Sequence, residues 1–271
     1  MPRFSGMTTL ITGVSGHLGS LILDHARARV PAGELVAATR HPERVGDLGV
    51  EVRPGDFAGD LSRTFEGVDK LLLVSADGPD DARIAMQRAA VRAAADAGVR
   101  HVLYTSVFEA DTSPLSLAAA HRATEEAIRG TGVAFTFLRN GMYHENYLAP
   151  GPLVTAAGDG RIASASRDDL ALAAAIALTE PGHENTVHEL TGPRAWSFDE
   201  LAALRGATHT AVTPAERVAG LKGFGLPDFV AELLTDIEVN IGRGALAEVR
   251  PDLEKLIGRA PTTIEDAARG R

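Results

Sequence analysis

The sequence contains no cysteine, which removes disulfides, thiolate catalysis and cysteine-ligated metals together. None of its nine histidines stands three or four residues from another. The spacing that sets two imidazoles on one helix face is therefore missing, and no metal site is expected. No run of ~18 apolar residues occurs, and the opening residues lack the charged-then-apolar pattern of an export signal. A cytoplasmic location without a membrane partner is the expectation. Positive charge is scarce: 27 Lys and Arg face 36 Asp and Glu, for a net charge of −9. With no basic run anywhere, nucleic acid is not an expected partner. Only three lysines exist, Lys70, Lys222 and Lys255. What remains is ordinary for a globular chain, with 45% hydrophobic and 23% charged residues over 271 positions, enough to bury a sizeable core.

Up to about residue 140 short apolar runs alternate with helical patterns. Strands are predicted at 8–12, 34–39, 51–54, 70–75, 101–105 and 134–138, with the clearest helices at 82–97 and 116–129. Such alternation predicts an α/β fold: a doubly wound parallel sheet covered on both faces. Beyond 140 the pattern loosens, with turns at Gly151-Pro152, Gly158-Asp159-Gly160, Pro181-Gly182 and Gly192-Pro193. Helices are expected at 167–178, 215–221 and 227–241. The division expected is residues 1–140 as a nucleotide-binding domain and 141–271 as a smaller substrate lobe, with segments returning to the sheet.

The most informative junction is Thr12-Gly13-Val14-Ser15-Gly16-His17-Leu18-Gly19, where the first strand runs into the first helix. Glycines here let backbone approach a diphosphate, and free N–H groups at the helix start meet its charge. The G-x-x-G-x-x-G spacing is one residue longer in its first gap than the dinucleotide fingerprint. About twenty residues on, an NAD-binding chain places an acid for the ribose hydroxyls. Here Ala38, Thr39, Arg40 and His41 contain none. A guanidinium at Arg40 suits a 2′-phosphate, so NADPH is the expected cofactor. Ligands of such sheets lie beyond the carboxyl ends of the strands, which directs attention to Gly13 through Leu18, Arg40, Ser75 to Asp77, Thr105 to Phe108, and Arg139 onward.

Short-chain dehydrogenases usually carry a Tyr with a Lys four residues later, the pair that moves a proton at a carbinol. Tyr104, Tyr143 and Tyr147 are followed at that distance by Phe108, Tyr147 and Gly151. Where the pair would lie stand His121 and Glu125. Reversible alcohol oxidation wants a tuned general base. Reduction of a conjugated acceptor such as a quinone needs one less, because the cofactor supplies hydride and water can protonate the oxyanion.

Longer segments carry a resemblance. Tyr104-Thr105-Ser106 followed by Ala110-Asp111-Thr112-Ser113-Pro114-Leu115, the stretch from Leu138-Arg139-Asn140-Gly141 to Leu148, and Ala156-Ala157-Gly158-Asp159-Gly160-Arg161-Ile162-Ala163-Ser164-Ala165 resemble the NmrA-like branch of the atypical short-chain dehydrogenases. Within it the chain is similar to the type 2 NAD(P)H:quinone oxidoreductase and triphenylmethane reductase group. The likeness continues to Leu256-Ile257-Gly258 and Pro261-Thr262-Thr263. It implies a Rossmann-type fold, NADPH binding, no Tyr/Lys pair, and hydride transfer to a quinone-like small molecule, with a homodimer left open. Carried over by residue, Gly13, Val14, Ser15, Gly16, His17 and Leu18 would cradle the diphosphate and Arg40 the 2′-phosphate. Ser75, Ala76 and Asp77 would line the adenosine and ribose path. Asn140, Gly141, Met142, Tyr143, His144 and Glu145 would lie along the nicotinamide, with Arg167 near the ligand. The family's Lys after His-x-x-x-Glu is replaced here by Glu126.

Several residues keep two readings. Tyr143 and Tyr147 on a short helix stack on nicotinamide or quinone, or simply pack. Asn140 and Asn146 hold a carboxamide or cap turns, and Tyr143 with Asn146 is the expected positioning pair for the acceptor. Ser106 is a structural hydroxyl or a catalytic one, and His121 a satisfied or solvated imidazole or a functional one. Asp56 meets an adenine amino group or forms a turn. Residues 223–227 make a lid hinge or a connector. NmrA-like chains also include regulators that bind NADP(H) without turnover and act through a protein partner, which stands as the alternative function. Reduction of a bulky cationic or azo acceptor, or of a biosynthetic carbonyl, is a third.

Overall fold

A computed structural model describes residues 6–270. The chain opens β1 (Thr9–Thr12), α1 (His17–Arg27), β2 (Leu35–Thr39), β3 (Glu51–Pro54), β4 (Lys70–Leu73), α2 (Asp80–Asp96), β5 (His101–Val107), α3 (Ala118–Thr131) and β6 (Ala134–Asn140). With β7 (Leu153–Thr155), β8 (Arg161–Ile162), α4 (Arg167–Thr179) and β9 (Thr186–Leu190) following, a seven-stranded sheet forms in the order β3-β2-β1-β4-β5-β6-β9. The pairs β3–β2, β2–β1, β1–β4 and β4–β5 are parallel. This is the expected doubly wound, Rossmann-type arrangement, whose order reverses between β1 and β4. The strands are legible because β1, β2, β4 and β5 are buried along their whole length, which favours predominantly apolar runs.

Strand ends differ from the sequence reading for a local reason. β4 stops at Leu73 rather than at 75, because side-chain hydroxyls take over the ladder. The Val74 N–H donates to Thr12 Oγ1 at 2.9 Å and the Ser75 N–H to Thr105 Oγ1 at 2.9 Å. β5 and β6 run two residues past their expected ends, to Val107 and Asn140. The remaining elements are β10 (Trp196–Ser197), α5 (Phe198–Leu204), β11 (His209–Ala211), α6 (Pro214–Gly223), α7 (Asp228–Gly242), α8 (Asp252–Ile257) and α9 (Ile264–Ala268). A capping box between Thr213 and Glu216 starts α6.

The chain divides into two compact units: residues up to 106 with 120–139 and 170–188, and residues 107–119 with 140–169 and 189 onward. The first has a core of Leu10, Val36, Leu71, Leu73, Val91, Tyr104 and Phe137 among others. The second packs Phe108, Leu115, Ile162, Trp196, Phe198 and Ile241. No helix among the described residues is long and apolar enough to cross a membrane.

Three histidines are enclosed by these cores. His101 donates from Nε2 to Thr136 Oγ1 at 2.8 Å, since the Thr136 hydroxyl hydrogen is committed to the His183 carbonyl. Burial, and then the Lys70 charge, hold its pKa down to about 4. His121 lies well below the ordinary range through burial and the Arg83 charge, and His144 is lowered by burial. Each of the three holds its proton less tightly in the folded chain than in the unfolded one, so as pH falls through 6.5 the unfolded chain binds more protons; for His101 that window runs down to about 4. Stability is complete above pH 6.5 and is lost on acidification, at up to about 1.4 kcal/mol per pH unit for each histidine. A urea midpoint that falls between pH 7 and pH 5 is expected; one that holds or rises over that range would refute the assignment.

Candidate functional site

The first unit presents its ligand-facing edge at the carboxyl ends of β1, β2 and β4. Gly13 leaves β1 with φ +68°, a conformation that favours glycine. A Cβ at Gly13 would stand 3.2 Å from Val74 Cβ, so the turns after β1 and β4 abut. A Cβ at Gly19 would collide with the Gly13 carbonyl oxygen, so α1 can approach β1 this closely only without a side chain there. The Gly16 N–H donates to the Gly13 oxygen at 2.9 Å, closing the turn. α1 then begins with Gly16 as N-cap, no capping side chain and no acid in its first turn. The first amides of a helix have no intrahelical acceptor, and here they carry their partial positive charge uncompensated.

Of the six residues expected around a diphosphate, Ser15, Gly16 and His17 are exposed and Gly13 is half-buried. Val14 and Leu18 send their side chains into the core and offer backbone only. Ser15 Oγ accepts from Thr39 Oγ1 at 3.1 Å, which ties the turn to the end of β2. Arg40, next in the chain, is exposed and has no ion-pair partner among the described residues. Asp56 does what its turn reading said: exposed, it accepts the Ala58 N–H at 3.1 Å. After β4, the Ala76 N–H donates to Gln87 Oε1 at 3.0 Å, Ser75 is half-buried and Asp77 is exposed.

Ser106 has no free hydroxyl. It donates to Glu125 Oε1 at 2.6 Å, while the Arg139 guanidinium donates to both Glu125 oxygens at 2.9 and 2.7 Å. This pair is almost fully buried, each side chain being 6% exposed. Sequence reasoning placed Glu125 where a proton relay would lie; the fold makes it the partner of Arg139. Its signal was faint, because the two are joined by tertiary pairing of α3 with β6.

In the second unit, segment 140–147 is pinned through its backbone. The Gly141 N–H donates to the Leu190 carbonyl at 2.7 Å, and residues 142–144 bridge to Ala165 in parallel. Asn140 is buried, and its Oδ1 has no hydrogen-bond partner among the described residues. Met142 packs on the core. The Tyr143 ring lies under the Arg167 guanidinium, 4.9 Å from it. The Arg167 N–H donates to the Glu145 carboxylate at 2.9 and 3.2 Å, and its Nη2 to Asn146 Oδ1 at 3.4 Å. The two tyrosines do not share a helix: a single 3-10 turn, His144–Asn146, separates them. Tyr147 is a packing residue, edge-on to Trp196 and Phe198, and burial raises its pKa.

His144 departs from its expected place along a ligand. Its Nε2 donates to the Thr262 carbonyl at 3.0 Å, and Nδ1 accepts from Ser164 Oγ at 2.7 Å, which itself accepts from Trp196 Nε1. Only 1% of the residue is exposed, so its side chain serves the fold.

Residues 13–181 match the family model described as NAD(P)H-binding. The chain belongs to the NAD(P)H-binding family. This member is 40% identical to quinone oxidoreductase 2 of Escherichia coli (strain K12), across 95% of this chain and 96% of that one. It is 28% identical to the NAD(P)H azoreductase of Xenophilus azovorans, across 96% of each. The triphenylmethane reductase of Citrobacter sp., solved with NADP(H), superposes with a TM-score of 0.93 at 37% identity, covering 97% of this chain and 99% of that one. The resemblance read from the Tyr104, Asn140 and Gly158 segments therefore holds along nearly the whole chain, which is that of a quinone-oxidoreductase-like enzyme.

The buried Glu125–Arg139 pair yields a stability test. Removing one member strands the other charge, so Arg139→Met is expected to cost about 3–5 kcal/mol in urea unfolding. Ser106→Ala, which removes one bond to the same carboxylate, should cost less, about 1.5–3 kcal/mol. Equal costs would show that Glu125 is not held by Arg139.

Proposed function

We propose that this chain is an NADPH-dependent oxidoreductase that reduces a quinone or similar conjugated acceptor by direct hydride transfer, without a Tyr/Lys proton relay. The observation that carries the reading is the bare start of α1 behind the Gly13–Gly19 packing, beside an exposed Arg40 with no ion-pair partner among the described residues. The residues fit a phosphorylated dinucleotide. The amides from His17 onward would hold the diphosphate and Arg40 the 2′-phosphate. Ser75, Ala76 and Asp77 would border the adenosine and ribose. The unpartnered Asn140 Oδ1 is a buried acceptor suited to a carboxamide N–H, and such an atom is costly to leave unmade. When bound, the reduced nicotinamide supplies the hydride.

The chain's own groups contribute positioning rather than proton transfer. Tyr104 is fully buried with its hydroxyl pKa raised by burial, and the Ser106 hydroxyl is spent on Glu125. The reduced acceptor takes its proton from water, which a stabilised hydroquinone-type oxyanion permits. Tyr143, steadied by Arg167, and Asn146 are the residues we assign to orienting the acceptor. The inward turn of Tyr104 and Ser106 also fits a regulator that binds NADP(H) and acts through a protein partner.

The deciding assay follows absorbance of the reduced nicotinamide with purified protein and 1,4-benzoquinone. Oxidation of NADPH well above the uncatalysed rate is expected, with NADPH preferred over NADH. Arg40→Glu should lower that preference at least about tenfold, the loss of one charge-assisted interaction. Tight NADPH binding without oxidation would select the regulator. Preference for NADH in the unaltered protein would overturn the 2′-phosphate assignment.

A further inference from the structure

α2 leaves the turn after β4 and faces the core of the first unit with Ala90, Val91 and Ala94, yet two large polar side chains, Arg83 and Gln87, are buried on the same face. Arg83 is 7% exposed and Gln87 is fully enclosed. Their hydrogen bonds run in one direction. A guanidinium can only donate, so the 2.6 Å contact from Arg83 Nη2 makes His121 Nε2 an acceptor. The His121 proton is then on Nδ1 and is donated to the Tyr104 oxygen at 2.9 Å. Tyr104 in turn donates to Gln87 Oε1, and Gln87 Nε2 donates to Thr124 Oγ1 at 2.9 Å. The Thr124 hydroxyl ends the chain on the Ala120 carbonyl at 2.8 Å. The chain starts at a guanidinium that keeps its proton and runs through the Gln87 amide, so it is not a proton relay.

The open end of the chain lies at the turn after β4. Arg83 Nη2 also donates to Ser75 Oγ at 3.3 Å, and Gln87 Oε1 holds the Ala76 N–H. Arg83 is compensated poorly for a buried cation: its acidic neighbour Asp80 is 3.8 Å away and half-exposed, and its Nε has no partner among the described residues. A buried charge so weakly matched costs stability that a methionine of similar length would not. Its return must come from what it holds. The turn it holds abuts the glycine turn, at the point where the sheet order reverses.

We propose that Arg83, presented by His121, is a positioning residue for the dinucleotide, acting through Ser75 to fix the turn after β4. This rests on the dinucleotide reading above. In this view the network sets cofactor affinity, whereas Arg40 sets the choice between NADPH and NADH.

The test is equilibrium titration of NADPH, followed by the fluorescence of its reduced nicotinamide, with thermal unfolding of each variant. Arg83→Met and Ser75→Ala are each expected to weaken binding about tenfold. Because one acts through the other, the double variant should be no more than about twofold weaker than Arg83→Met alone. Gln can both accept from Arg83 and donate to Tyr104, so His121→Gln should bind nearly as the unaltered protein, while His121→Leu should match Arg83→Met. The ratio of NADPH to NADH affinities should stay constant throughout. Multiplying effects of Arg83→Met and Ser75→Ala, or unchanged binding by Arg83→Met, would overturn the proposal while leaving the dinucleotide reading intact. Should Arg83→Met not fold, the His121→Gln and His121→Leu pair decides: equal affinities overturn it. Absence of NADPH binding by the unaltered protein would overturn both.

Discussion

One steric constraint organises the ligand-facing edge of this molecule: α1 rests on the carbonyl of Gly13 at Gly19, with no room for a methyl group between them. That approach fixes where the helix begins and keeps its first amides uncapped. Gly13 can serve as the floor of this packing because it takes a left-handed backbone conformation at the strand end. The turn after β4 is placed by the same contact through Val74, and the end of β2 through the Thr39–Ser15 bond. A patch of oriented N–H dipoles with one exposed cation nearby is a poor place for a proton relay and a suitable one for an anion.

The polar residues divide accordingly. Four residues with the chemical means for acid–base work are taken up by the fold: Ser106 by Glu125, Tyr104 and His121 by each other, His144 by Ser164 and Thr262. In the first unit the donors for phosphate without a partner among the described residues are the start of α1 and Arg40. A chain built this way contributes binding and orientation, and the redox equivalent has to come from its cofactor. This division makes a conjugated acceptor the better fit, because reduction there leaves an oxyanion that water can protonate without a tuned acid nearby.

What the sequence disclosed follows the physics of burial. β1, β2, β4 and β5 are buried end to end around mostly apolar centres, so each could be found without context, and so could the glycines that a close turn demands. The true end of β4 was hidden, because it depends on hydroxyls from Thr12 and Thr105 that lie on other strands. β9 escaped for a different reason: four of its five residues are half-buried, which weakens the hydrophobic signal. His121 read as an isolated imidazole on an alanine-rich helix, and only the approach of α2 and β5 shows it bonded on both sides. His144 was assigned to a ligand by its place in a familiar segment, yet a residue more than a hundred positions away, Thr262, claims its ring. Tyr147 shows the same limit, since its neighbours Trp196 and Phe198 are distant in sequence.

The phosphate grip can be isolated from the chemistry by calorimetric titration with fragments that lack the nicotinamide. 2′-Phospho-ADP-ribose and ADP-ribose share the diphosphate that the start of α1 would hold, and differ only in the group assigned to Arg40. Saturable binding of both, with the phosphorylated fragment at least about tenfold tighter, is the expected result. Equal affinities, or no binding of either, would contradict the grip on which the whole reading depends.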